Sequence, residues 1–175
     1  LCEADVNHAQ LLDGDAAALF SLRLSHAIVK VGADGARAWT VGGPYGEWPI
    51  EDTGRGVTYP PGATVWSGQH NAEYMGAGDD GHEVWMFDDL GLGNESRLLI
   101  VRVDESEGKA YLKWEYRLGA LTQLFGDADP TIAGNVLGAF WIQEYGPATR
   151  WGDAQAGLVE VVPEHLLLQE VPDRR

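Results

Sequence analysis

A plan of four short apolar segments separated by tight-turn residues occurs twice in this chain. It restricts the fold more than any other feature. The first copy runs from His8 to Gly43: HAQLL, a turn at Asp13 to Asp15, ALFSLR, AIVKV, a turn at Ala33-Asp34-Gly35, and ARAWTVGG. The second runs from His70 to Gly119: HNAEYM, a turn from Gly76 to Gly81, EVWMFDD, RLLIVRV, a turn from Asp104 to Gly108, and KAYLKWEYRLG. Each copy opens on a His and closes on a Trp-bearing segment ending in Gly. Short runs rich in β-branched and aromatic residues, punctuated by Gly, Asp and Pro, read as strands joined by hairpins. The apolar run Ala16 to Leu24 follows Asp-Gly-Asp and is therefore read as a strand, not a helix. A weaker third copy begins near Gly134 as GNVLGAFW and continues through GLVEVV and HLLLQEV. Within it, His165 to Gln169 fits one helical turn or a strand, and no long helical period occurs elsewhere.

Repeated four-stranded antiparallel units are the sequence form of a β-propeller. The expectation is an all-β chain forming a partial propeller of about three blades, at 5–43, 66–119 and 120–172, with 44–65 as a linker. Closed propellers need about 4–8 blades. The 175 residues, starting on Leu, are thus expected to be an arc of a larger propeller or to associate with copies of themselves. In that geometry the opening strands converge, which would bring His8 and His70 toward one axis. In a β-sandwich the two histidines would have no special relation.

Charge narrows the partners. The chain has 12 Lys and Arg against 27 Asp and Glu, a formal net charge of −15, whereas phosphate-backbone binding needs a basic surface. Seven Trp, six Tyr and four Phe imply a packed core and exclude a disordered acidic tail. No apolar run reaches the roughly 18 residues of a membrane-spanning helix. Cys2 is alone, so no internal disulfide and no cysteine zinc site can form. Asp79-Asp80 and Asp127-Ala128-Asp129 lack the ligand count of a Ca²⁺ loop and read as turns.

The order of several short elements resembles the arylsulfotransferase family, the PAPS-independent aryl-sulfate sulfotransferases, and within it the eukaryotic and fungal-type branch. In the first repeat the matching residues are His8, Ser21-Leu22-Arg23, Ala27 to Val31, and Trp39 to Gly43. In the second, Gln69-His70-Asn71-Ala72 resembles a QHxA element and Met86-Phe87-Asp88-Asp89 an FDN element, with Asp89 in place of Asn. Ser96-Arg97, Val103-Asp104 and Trp114-Glu115-Tyr116 follow in order, then Gly134-Asn135 and Glu144-Tyr145. The likeness covers about residues 5 to 145. It implies a β-propeller that moves a sulfuryl group from a phenolic sulfate ester to a phenol, through a histidine, without PAPS, in an extracytoplasmic compartment. Where bacterial members carry the nucleophilic histidine this chain reads AFWIQEYGP (139–147), with no His. The resemblance therefore leaves His70, His8 or residues outside this sequence as nucleophile.

Such a transfer needs cationic donors for the sulfuryl oxygens and a group able to attack sulfur or to protonate the leaving oxygen. His70 and His8 are the catalytic candidates. Arg23, Gln69 and Asn71 are the substrate-binding candidates, and Asp88-Asp89 could orient a donor. His26 and His82 are expected at the surface, and Trp39 and Trp114 in the core. No cofactor or metal is implied. The competing class is a non-catalytic propeller that binds a small anion or a protein partner.

Overall fold

The computed structural model describes residues 5–12, 14, 16–78, 81–91, 95–122, 124–142 and 155–163. Among these residues there is no helix, and so none long and apolar enough to cross a membrane. Among the described residues thirteen strands form three sheets, and none of these sheets closes into a barrel.

The first sheet is an antiparallel meander of β1 (Val6–Leu12), β2 (Ala17–Leu22), β3 (Ala27–Val31) and β4 (Arg37–Val41). The second sheet contains a like meander, β7 (His70–Gly78), β8 (Gly81–Asp88), β9 (Arg97–Asp104) and β10 (Lys109–Arg117). The stretch 44–65, expected as a linker, carries a short hairpin of β5 (Ile50–Asp52) and β6 (Val57–Tyr59). Its β5 joins the edge of β10 in parallel, Ile50 opposite Ala110. The third sheet holds β11 (Gly126–Pro130), β12 (Val136–Ile142) and β13 (Gln155–Val161). GNVLGAFW is thus the middle strand of this sheet, and β11 precedes it. The HLLLQEV segment lies outside the described residues.

The central strands β8 and β9 of the middle sheet are buried on both faces, and their sequence shows why. Successive side chains of a strand face opposite ways. Along β8, Val84 and Met86 join a core with Leu19, Ile28, Trp39 and Val41 of the first sheet. Trp85 and Phe87 join a second core with Ala128, Val136 and Phe140 of the third. β9 divides likewise, Leu99, Val101 and Val103 to one core and Leu98 and Ile100 to the other. Hence VWMF and LLIV are unbroken apolar runs rather than alternating ones. Packing is close enough to demand glycine. A Cβ on Gly126 would lie 2.1 Å from the Phe87 ring, and one on Gly42, already at φ +79°, 2.5 Å from that of Trp66.

Polar groups key the first two sheets together. Gln10 exchanges two hydrogen bonds with the backbone of Tyr74, at 2.6 and 3.0 Å. Glu105 Oε1 accepts from Lys30 at 2.7 Å and from Trp39 Nε1 at 2.9 Å, and meets His82 Nε2 at 2.9 Å. His82 also meets the Tyr74 hydroxyl at 3.1 Å. It is half-buried at this junction rather than at the surface. His26 is not solvated either. Its Nδ1 accepts the Gly68 N–H at 2.8 Å, and its carbonyl accepts Trp66 Nε1 at 2.8 Å. Trp39 is 2% exposed in the core, and Trp114 packs on the second core.

At the end of β8 sits a fully buried ion pair. Arg97 and Asp88 side chains are both 0% exposed and bond through Nε at 3.0 Å and through a second, shorter contact. Arg97 also donates to the Val65 carbonyl at 2.6 Å and to Glu115, while Asp88 Oδ1 accepts the Ser67 N–H at 2.8 Å. Arg97→Met strands the Asp88 charge in the interior. Removing one partner of such a pair costs about 3–5 kcal/mol. We expect that loss in urea unfolding of Arg97→Met, and a smaller one in the double variant Asp88→Leu/Arg97→Met.

Candidate functional site

The opening strands of the two meanders and of the third sheet adjoin, with β7 touching both β1 and β11. Beside this junction lies a cavity of about 630 Å³, lined among others by Arg23, His70, Asn71, Phe125, Asp127 and Trp141. Three of the five expected site residues therefore share one cavity, although 47 residues of chain separate Arg23 from His70.

His70 opens β7 and is 9% exposed. Its Nδ1 lies 2.7 Å from Asp89 Oδ2, and Arg23 Nε lies 3.3 Å from the same oxygen. Arg23 also reaches Asp5 at 3.6 Å. Asp89 is wholly buried, and its second oxygen, Oδ1, has no hydrogen-bond partner among the described residues. Burial pushes this carboxyl above the ordinary range, and His70 and Arg23 offset that only in part. With Asp89 ionised, Nδ1 carries the ring proton and donates it, leaving Nε2 with the lone pair for chemistry.

The opposite wall is aromatic. The Phe125 ring stands 6.0 Å from His70 and 5.7 Å from Trp141 between centroids. Two wall residues hold costly backbone conformations, Asn71 at φ 45° and Phe125 at φ 67°. Asn tolerates the left-handed region, but a bulky aromatic rarely adopts it, and such strain persists only where the surroundings impose it.

Two expected site residues lie elsewhere. Gln69 is 0% exposed and does not line the cavity. Its amide donates to the Ala27 carbonyl at 2.9 Å and the Leu22 carbonyl at 3.2 Å, so it ties the second sheet to the first. His8 is also absent from the cavity lining. The register of β1 on β2 shifts between Val6 and His8, and Asn7 takes the cavity position. Asn7 donates to the Gln69 carbonyl at 2.7 Å. The His8 Nε2 is buried without a partner among the described residues. Burial lowers its pKa, against the pull of Asp127 and Asp129, and so favours the neutral ring.

Sequence reasoning missed Phe125, Asp127 and Asn7. Each matters only through contacts that form when distant segments meet. Among the described residues no group of three or more His, Cys, Asp or Glu side chains is placed to hold a metal ion. No family model matches the sequence, and no curated protein matches it.

A cluster of carboxyls spans β7 and β11. Glu73 bonds Asp129, and Asp127 adds its charge. Burial first, then these like charges, raise Glu73; burial, then Asp127, raises Asp129. The folded state then binds more protons than the unfolded chain. Its stabilisation is complete below the ordinary carboxylate range, about 4, and is lost as pH rises through the raised folded values. We expect Asp129→Asn to gain thermal stability relative to the parent protein as pH rises through that window. Parallel melting curves from pH 4 to 8 would rule this out.

Proposed function

We propose that the chain is part of an arylsulfotransferase-like β-propeller, and that the His70 cavity transfers a sulfuryl group from a phenolic sulfate ester to a phenol. The observation that carries this reading is the shared oxygen of Asp89, which holds His70 and Arg23 together beneath an aromatic wall. The stacked, four-stranded meanders and the adjoining opening strands agree with blade packing. In the reaction, the Nε2 lone pair of His70 attacks sulfur and the S–O bond to the aryl group breaks. The phenolate leaves with the bonding pair and takes a proton from water. The acceptor phenol then attacks the same sulfur, loses its proton to water, and frees the imidazole. Asp89 fixes the tautomer and steadies the positive charge that develops on the ring. Arg23 offers N–H groups to the sulfuryl oxygens, and the aromatic wall packs on the aryl ring.

A second reading, a non-catalytic module for a small anion or a protein partner, is favoured by a different observation. Arg23 already bonds two carboxylates, so it holds the fold whether or not a ligand is present.

The two readings separate in an assay of 4-nitrophenyl sulfate with phenol as acceptor. The transferase reading expects 4-nitrophenol release that requires His70, with His70→Ala lowering kcat by at least about 10³-fold and Asp89→Asn by about 10²- to 10⁴-fold. Circular dichroism must show both variants folded. Undiminished turnover in folded His70→Ala, or no turnover in the parent protein, would reject it.

A further inference from the structure

A second cavity, of about 500 Å³, lies away from His70, along the edge of β10 that β5 leaves uncovered. β5 pairs only with Ala110 to Leu112, and a register shift between Leu112 and Trp114 then redirects the strand. Beyond that bulge Trp114 and Tyr116 occupy alternate positions and both line the groove. Their rings are within 13° of parallel with centroids 6.3 Å apart, and Tyr116 is 37% exposed. Val161 and Val162 at the end of β13 add apolar lining to the same groove. The two rings are stacked and hold one orientation, so that the exposed ring of Tyr116 offers a face on which a ligand with a flat apolar face can pack.

The polar lining defines what else the ligand must be. It holds two carboxylates, Asp52 and Glu115, and two cations, Arg55 and Lys113, and so has no net formal charge. The carboxylates and Arg55 are fixed in advance, because Arg55 bonds both Asp52 and Glu115, and Glu115 is also held by the buried Arg97. An anion would meet the carboxylates and a cation would meet the guanidinium. A neutral hydroxyl both donates and accepts, so it can use a wall that offers both kinds of group. A flat apolar face carrying several hydroxyls is a pyranose, and the volume falls in the usual range of about 300–1,000 Å³ for small-ligand sites.

We propose that this groove is a binding site for a neutral sugar, with Trp114 and Tyr116 under the ring face and Lys113, Arg55 and Glu115 around its hydroxyls. The test is saturation-transfer NMR on the full chain with maltotriose, cellotriose and triacetylchitotriose as separate probes. Transfer to the ring C–H protons of at least one of them is expected. Tyr116→Ala should weaken that Kd about tenfold. Lys113→Ala, at an exposed position, should weaken it without moving the melting temperature. No transfer from the folded parent protein to any of the three sugars would overturn the proposal. So would transfer that both variants leave unchanged, or a response confined to the charged aryl probes benzoate and benzylamine.

Discussion

Two adjacent carboxylates at the end of β8 hold the arrangement together. Asp88 binds Arg97 and the backbone of Ser67, and so fixes the 65–67 segment against the end of the middle sheet. Asp89 binds His70 and Arg23, and so joins that sheet to the first one. Both carboxylates are fully buried. Neither could stay there without its partners, because an unpaired interior charge is costly. The site and the fold therefore share one anchor. The residue that orients His70 is one peptide bond from the residue that neutralises the fully buried Arg97.

The middle sheet explains why this anchor matters. With both faces buried, β8 and β9 cannot shift register by one residue without exchanging the contents of two cores. Their rigidity passes to whatever is attached at their ends. Ser96 illustrates this. Its hydroxyl donates to the Asp89 carbonyl and accepts the Thr122 N–H at 2.7 Å, so the approach to β11 starts from the same fixed point as Asp89. Phe125 and Asp127 then reach the cavity a few residues later. The aromatic wall and the His70 dyad are thus referenced to one end of one strand pair.

The strands of the two meanders were legible because their apolar runs are long enough to carry a period and are bounded by turn residues. The hairpin in 44–65 was not. β5 and β6 have three residues each, too few for a pattern, and β5 is held by a long-range parallel pairing that no local signal announces. His70, Arg23 and Asn71 were found as candidates because they stand beside strand ends in recognisable order. Gln69 stands in the same motif but points inward, since alternation in an extended chain places neighbours on opposite sides. His8 lies outside the cavity lining for a related reason, a register shift that a sequence pattern cannot show. Asp89 was visible as half of an acidic pair, yet its role depends on two side chains 19 and 66 residues away.

The acidity of the chain sharpens what the His70 cavity can do. A net charge of −15 repels an approaching anion, but that field is screened beyond a Debye length of about 8–10 Å. Within the cavity the balance is local. Asp5 and Asp127 line the same cavity as Arg23, whose guanidinium bonds Asp5 and Asp89. An anion would have to draw Arg23 from Asp5, the weaker contact at 3.6 Å and the one to a half-exposed carboxylate, while the bond to buried Asp89 stays. That exchange leaves Asp5 in water, where its charge is cheap, and leaves Asp89 holding His70.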